Sequence, residues 1–142
     1  MLFYIGAKRS EREQQTGLRR NINVGKSLKS FEILKTLTKG SIESVKKGDM
    51  RGFGKILDQV WQAKKETSAA ISNVRIDELY EIAMKKGAYG CKVLGAGGGG
   101  CLLVSAPPKT HPSIIRNLKK RGVIPLPLVF DYRGVQVTSS EN

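Results

Sequence analysis

The hydrophobic positions in the first part of the chain predict one strand followed by helices. Residues 2–5 form a short apolar run that ends at Gly6, which is typical of a buried strand. Residues 10–25 are polar and basic, with too few apolar positions to define a face. From residue 28 to residue 45 apolar side chains recur at roughly helical spacing, with an interruption near Gly40. This region is therefore predicted to form two helical pieces.

Two amphipathic helices are predicted next, and capping residues indicate where each begins or ends. Asp49 is the predicted N-cap of the first helix, and its apolar face consists of Phe53, Ile56, Leu57, Val60 and Trp61. The second helix has Ser72 or Asn73 as its cap and ends at Gly87. Its first turn is acidic and its last turn is basic, which complements the helix dipole.

Beyond Gly90 the pattern changes from helical spacing to strand spacing. Residues 91–94 and residues 101–105 are predicted strands. The chain between them is a glycine tract, which consists of Gly95, Ala96, Gly97, Gly98, Gly99 and Gly100. A hairpin closed by a glycine loop is the predicted result.

The last part of the chain completes the predicted sheet. Two prolines end the hairpin, a short helix follows and is closed by Gly122, and one or two strands are predicted between residues 123 and 138. The whole order is strand, helices, two strands, helix and strand. It predicts an α+β fold, namely a ferredoxin-like antiparallel sheet with helices packed on one face.

Length and composition are those of one folded domain spanning residues 1–142. Hydrophobic residues make up 39% of the chain and charged residues 26%, close to the globular average. No apolar run approaches the ~20 residues that cross a bilayer, and no signal peptide is recognisable, so a cytoplasmic location is expected. Cys91 and Cys101 are the only cysteines, and free thiols are expected there.

The formal charge of +13 raises the question of nucleic-acid binding. The basic residues are scattered along the chain, and the longest basic run is only residues 119–121. This distribution favours a solvated basic surface over a dedicated nucleic-acid face. A basic ferredoxin-like RNA-binding or regulatory module is the alternative, although the strands at residues 91–94 and 101–105 carry no aromatic residue on which a base could stack.

The glycine tract is the main candidate for a binding site. Each glycine costs about 0.5–1 kcal/mol relative to alanine, so a loop that keeps five of them needs positive φ angles or close backbone approach. Successive amides without side chains can form a nest around phosphate oxygens. The other interpretation is a flexible or tightly packed hairpin connection. A dinucleotide-binding motif is excluded because a strand, not a helix, follows the glycines.

Three further places in the chain carry side chains that could take part in chemistry. Arg9 is either a phosphate clamp or a surface charge. Lys64 and Lys65, in the last turn of their helix, are either substrate contacts or solvated cations, and Lys65 is the one chosen as a possible substrate contact. His111 is the only histidine and has no companion ligand nearby in sequence, so neither a metal site nor a catalytic residue is predicted.

The segment GAYGCKVLGAGGGGC resembles the third conserved motif of the GHMP small-molecule kinases. Further segments are similar to the heptose 7-phosphate kinase branch of that family: LFYIGAKRS, Phe53-Gly54-Lys55-Ile56-Leu57, Trp61 with Lys64-Lys65, Ile71-Ser72-Asn73 and Ile76-Asp77-Glu78-Leu79-Tyr80. The resemblance covers nearly all of the chain. Ile5, Cys91 and Cys101 depart from the pattern, which leaves the substrate open.

The resemblance implies the C-terminal domain of an ATP-dependent sugar or sugar-phosphate kinase. In that family the nucleotide loop and the catalytic acid belong to an N-terminal domain, and no Ser-Ser-Gly-Leu-Gly-like segment occurs here. ATP and magnesium are therefore expected in the complete kinase, with neither bound tightly by this chain alone. The expected partners are an N-terminal kinase domain in cis or in trans, a sugar phosphate, and a second copy in a homodimer. The glycine tract is expected to lie beside the nucleotide phosphates.

Overall fold

The computed structural model describes residues 1–7, 28–129 and 131–137. Arg9 and the polar stretch at residues 10–25 lie outside the described residues. The elements, in chain order, are β1 (Leu2–Ala7), α1 (Leu28–Lys46), α2 (Met50–Lys65), α3 (Val74–Lys85), β2 (Gly90–Val93), β3 (Gly99–Ser105), a 3₁₀ turn (Pro108–Thr110), α4 (His111–Lys119) and β4 (Ile124–Leu126).

The four strands form one antiparallel sheet in the order β2-β3-β1-β4. The first strand of the sequence therefore lies in the interior of the sheet, where Leu2 is opposite both Leu103 of β3 and Leu126 of β4. The register of β1 against β3 shifts between Tyr4 and Gly6. The predicted α+β fold with an antiparallel sheet is confirmed.

One face of the sheet and the apolar faces of α2, α3 and α4 enclose the core. Alternate strand residues point into it, as the two-residue period of a strand requires. The fully or nearly fully buried side chains include Phe3, Ile5, Trp61, Leu79, Val93, Leu102, Val104 and Leu118. The opposite face of the sheet is more open, since Tyr4 is 41% and Ile124 is 56% exposed.

The helix ends agree with their predicted caps. The carboxylate of Asp49 accepts a hydrogen bond of 2.8 Å from the amide of Gly52 at the start of α2. Asn73 Oδ1 accepts one of 3.0 Å from the amide of Ile76 at the start of α3. After α3 the chain turns at Gly87, whose φ is +92°. Both caps satisfy amides that have no partner inside the helix.

Helix α1 corrects one prediction, since it is a single helix of 19 residues rather than two pieces. The interruption of the apolar pattern at Gly40 reflects helix packing and not a break in the helix. A β-carbon on Gly40 would lie 3.3 Å from Cδ1 of Ile56, so the glycine lets α1 approach α2 closely. The loss of the apolar pattern there has a tertiary cause, which hydrophobic spacing alone does not reveal.

The tail contains one strand, β4, in the described part of residues 123–138. Val135 and Val137 are 97% and 92% exposed and pair with no other strand of the described chain. A search of the described helices for one long and apolar enough to cross a membrane finds none.

Candidate functional site

The first four residues of the glycine tract belong to the loop between β2 and β3, and its last two, Gly99 and Gly100, begin β3 two residues earlier than predicted. The backbone of the tract requires glycine. The φ angles of Gly95, Gly97, Gly98 and Gly100 are +74°, +111°, +69° and +90°. A residue with a β-carbon is strained in this region of φ. Ala96 is the one member of the loop that carries a side chain, and it is not among the residues of positive φ. The loop therefore alternates in the sign of φ from Gly95 to Gly97.

The inner side of the loop is fixed to the segment that precedes α3. The amide of Gly98 donates a 2.8 Å hydrogen bond to the carbonyl of Ile71. A β-carbon on Gly97 would lie only 2.9 Å from the same oxygen. Asn73 Nδ2 donates to the carbonyl of Gly98 at 3.3 Å while the other atom of its amide, Oδ1, caps α3. The loop is thus tied to the N-terminus of α3 by hydrogen bonds and contact.

The first half of the loop carries backbone donors that no described residue uses. No described residue accepts a hydrogen bond from the amides of Gly95, Ala96 or Gly97. Alternating signs of φ turn successive amides toward a common point, which is the arrangement of an anion-binding nest. The geometry is therefore suited to hold an oxyanion against the backbone.

Lys64, at the end of α2, supplies a cation to the first half of the loop. Its Nζ donates a hydrogen bond to the carbonyl of Gly95. Burial lowers the pKa of Lys64 to about 8, and the neighbouring charge of Lys92 contributes in the same direction. Neither lysine takes part in an ion pair between described residues.

A cleft of about 230 Å³ runs along the second half of the loop and is lined by Ile5, Gly6, Asn73, Arg75, Ile76, Gly98 and Gly99. Arg75 donates from Nε to the carbonyl of Ile5 at 3.4 Å and from Nη2 to the carbonyl of Arg121 at 3.0 Å. Both acceptors are neutral, and no described carboxylate forms an ion pair with the guanidinium of Arg75. Nothing in the sequence distinguished Arg75 from a surface arginine, because its position depends on how α3 meets β1.

Lys65 lies elsewhere, in a group that we call the Tyr80 cluster and that consists of Asp58, Gln62, Lys65 and Tyr80. Its Nζ is 5.6 Å from the centroid of the Tyr80 ring. The Tyr80 hydroxyl donates to Oδ1 of Asp58 at 2.7 Å, and Gln62 Nε2 donates to both partners. Burial and the bond to Asp58 raise the pKa of Tyr80. The substrate contact of Lys65 stays a prediction, and it is Lys64 that reaches the loop.

Cys91 and Cys101 are free thiols, as predicted. Burial, together with the charges of Asp58 and Glu81, raises the pKa of Cys91 to about 12. Across the described chain, no three His, Cys, Asp or Glu side chains are grouped so that they could hold a metal ion.

The fold and the sequence both have counterparts among known kinases. The family model described as "GHMP kinases C terminal" matches residues 41–124. The chain is 26% identical over 120 residues to D-glycero-alpha-D-manno-heptose 7-phosphate kinase of Campylobacter jejuni, which covers 84% of this chain and 35% of that protein.

Solved structures share the fold. The mevalonate kinase of Methanococcus jannaschii superposes with a TM-score of 0.66 at 25% identity, covering 86% of this chain and 36% of that one. The phosphomevalonate kinase of Streptococcus pneumoniae, solved with phosphomevalonate and AMPPNP, gives a TM-score of 0.68 at 19% identity, covering 86% and 37%. This chain spans little more than a third of each relative. Because the family model covers more than half of the chain and the fold recurs in these kinases, the chain belongs to the GHMP kinase family and carries its C-terminal domain.

Proposed function

We propose that this chain is the C-terminal domain of an ATP-dependent sugar or sugar-phosphate kinase of the heptose 7-phosphate kinase type. The observation that carries the proposal is the fixed glycine loop, whose amides without a described acceptor and adjacent Lys64 are suited to phosphate oxygens. The name of the Campylobacter jejuni relative supports a phosphorylated heptose as the acceptor. The chain covers about a third of that relative, so both the reaction and its substrate are proposed for the complete kinase.

The described residues are suited to the phosphates of ATP but not to magnesium. Amides and a lysine ammonium are donors that match phosphate oxygens. Magnesium instead takes oxygen ligands in octahedral geometry. No cluster of three acids, histidines or cysteines occurs in the described part of the chain. We infer that the magnesium ligands, the main nucleotide loop and the catalytic acid come from an ATP-binding domain, joined in cis or in trans.

The role of this chain is then to position and neutralise phosphate. Phosphoryl transfer depends chiefly on alignment and on neutralising charge on the phosphoryl oxygens. The glycine loop would orient a phosphate group by its amides, and its attachment to Ile71 and Asn73 would keep that orientation fixed. The cleft beside Arg75, at about 230 Å³, is smaller than the roughly 300–1,000 Å³ of most ligand sites. This size agrees with a site that a second domain completes.

An activity assay tests the proposal. The chain is combined with ATP, magnesium and heptose 7-phosphate, alone and together with the ATP-binding domain of a heptose phosphate kinase. We expect phosphate transfer only in the combined sample. Sustained turnover by the chain alone, or none in any combination with a folded partner domain, would contradict the proposal.

Matched glycine variants connect the activity to the loop. Gly97→Ala places a β-carbon 2.9 Å from the Ile71 carbonyl at a φ of +111°, so it should displace the loop and lower turnover of the combined kinase. Gly134→Ala is the control because its φ is also positive, at +71°, but its added β-carbon meets nothing within 4 Å. Equal activity of the two variants would show that the loop conformation does not matter for transfer.

The RNA-binding alternative rests on the net charge and on Tyr4, an exposed aromatic residue on an interior strand of the sheet. Against it, β3 places Cys101 and Leu103 beside Tyr4 and Leu2 on that same face, where RNA-binding sheets carry further aromatic residues. Titration with single-stranded RNA at two salt concentrations separates the readings. Submicromolar binding that weakens steeply with salt would favour the alternative.

A further inference from the structure

Lys64 has no carboxylate partner among the described residues, and in this it differs from four other described cations. Lys46, Lys85, Arg121 and Arg133 each pair with a carboxylate, and all four ion pairs are on the surface. Lys64 is partly buried, and its one described acceptor is the neutral carbonyl of Gly95. The charge with the largest effect on it is another cation, Lys92.

This arrangement is unfavourable for the protein as it stands. A partly buried ammonium loses hydration, and a nearby like charge disfavours its protonated form further. A single carbonyl satisfies one of the three donors of a lysine. The two other donors of Lys64 have no acceptor among the described residues, and the same is true of the neighbouring amides of Gly95, Ala96 and Gly97. An anion at this position would satisfy all of these groups at once.

We propose that Lys64 binds a phosphate group of a phosphorylated ligand at the first half of the glycine loop. The hydrogen bond from Lys64 to Gly95 holds the ammonium beside the loop amides, so that lysine and backbone contact the same group. The proposal rests on the phosphate-binding function proposed above and adds a residue, a side of the loop and a counter-charge to it. Lys65, the next residue along α2, takes no part because its ammonium lies over Tyr80.

The chemistry fits a phosphoanhydride and a phosphate monoester equally well, because both present several anionic oxygens. Nucleotide phosphates and the phosphate of a sugar substrate are therefore the two sources to distinguish. Inorganic tripolyphosphate represents the first, and heptose 7-phosphate represents the second. The source that binds in a Lys64-dependent manner identifies which ligand meets this side of the loop.

The test uses the full chain and three lysine variants at constant ionic strength. Binding of each probe is followed by NMR through the amides of Gly95 and Gly97 and through the side-chain nitrogen of Lys64. We expect Lys64→Met to raise the Kd of one probe about tenfold, which corresponds to about 1.4 kcal/mol, because a charge-assisted hydrogen bond is lost. Lys65→Met is the matched control and should leave the Kd within about twofold, and Lys64→Arg should restore most of the binding.

A second readout separates ligand binding from a purely structural role of Lys64. A bound anion favours the protonated lysine, so the pKa of Lys64 should rise from about 8 when the probe is added to the wild-type chain. An unchanged pKa at saturation, or equal loss of binding in Lys64→Met and Lys65→Met, would overturn the proposal.

The outcomes also separate this proposal from the proposed function. If the loop amides respond to a probe with the same Kd in the wild type and in Lys64→Met, the phosphate loop stands and the role of Lys64 is wrong. If the probes bind through Lys64 but the combined kinase transfers no phosphate, the role of Lys64 stands and the proposed kinase function is wrong. If no probe affects the loop, the proposal for Lys64 fails even where the combined kinase is active.

Discussion

The two ends of strand β2 differ in how their polar groups are satisfied. At the Gly90 end, α2 passes so close that a β-carbon on Gly90 would lie 1.9 Å from the carbonyl of Gly54. Here Asp58, Gln62 and Tyr80 bond to one another. At the Gly95 end, amides and lysine donors lack acceptors within the described chain. The Gly90 end is thus closely packed with its polar groups bonded to one another, whereas the Gly95 end has hydrogen-bond donors that a ligand could use.

Helix α2 contributes side chains to both ends of β2. Successive residues of a helix are rotated by about 100°, so Lys64 and Lys65 leave the last turn of α2 in different directions. Lys64 reaches the loop carbonyl of Gly95, and Lys65 reaches the ring of Tyr80. A pair of adjacent lysines in the sequence therefore belongs to two different environments.

The largest expected difference between the two ends is in thiol reactivity. Cys91 lies at the Gly90 end, is fully buried, and has its pKa raised to about 12, whereas Cys101 lies across from Leu94 at the loop end and is half-buried. A rise from the ordinary value of 9.0 lowers the thiolate fraction on the order of a thousandfold at a pH near 8. An aromatic disulfide reagent should therefore modify Cys101 alone in the native chain.

The measurement is the time course of thiol modification in the native state and in denaturant, with Cys101→Ser as the control. In that variant, native modification should nearly disappear and return on unfolding. Rapid native reaction at Cys91 would contradict the packed environment assigned to the Gly90 end.

Alanine substitution at the two glycines should give unequal losses of stability. Gly90→Ala forces a β-carbon against the backbone of α2, and overpacking of this kind should lower the free energy of unfolding by about 3 kcal/mol. Gly95→Ala meets nothing within 4 Å, so only its φ of +74° opposes the substitution, at a cost of about 1–2 kcal/mol. Urea unfolding followed by circular dichroism measures both values. Equal losses would remove the distinction between a glycine kept for packing and one kept for conformation.

The smallest expected effect concerns the hydroxyl of Tyr80. Tyr80→Phe removes the 2.7 Å bond to Asp58, although Gln62 can still donate to that carboxylate at 3.3 Å. We expect the free energy of unfolding to fall by about 1–2 kcal/mol, the cost of leaving a partly buried acceptor less well satisfied. Tyr4→Phe, on the open sheet face, should change it by less than about 0.5 kcal/mol.

A double-mutant cycle with Asp58→Asn checks that the Tyr80 effect passes through this bond. The two substitutions should cost less together than the sum of their separate effects, because they remove the same interaction. Strict additivity would assign the stability of the Gly90 end to packing alone.

The features that sequence could predict are those determined by neighbours along the chain. Asp49 and Asn73 cap helices by accepting hydrogen bonds from amides three residues ahead, and the apolar face of α2 follows from spacing alone. The hairpin around the glycine tract is equally local. For the site, the tract was identified because only glycine tolerates its φ angles, and its position between two strands was evident from the pattern.

Features that depend on residues distant in the sequence could not be predicted from the sequence. The sequence predicts a break at Gly40 inside α1, because the reason for this glycine, contact with Ile56, lies on another helix. The choice of Lys64 over Lys65 depends on where the loop stands relative to the last turn of α2. The place of Arg75 beside the cleft depends on carbonyls of Ile5 and Arg121, residues far apart in sequence.

The interior place of β1 in the sheet has a consequence for how the chain folds. Its hydrogen-bonding partners on both sides, β3 and β4, follow it by roughly a hundred residues. Pairing at such separation requires closure of a long loop before it gains any contact energy, and folds rich in such pairings fold slowly. The α1–α2 pair and the β2–β3 hairpin can form from local segments. Strand β1 can therefore enter the sheet only after β3, about a hundred residues later, has been synthesised.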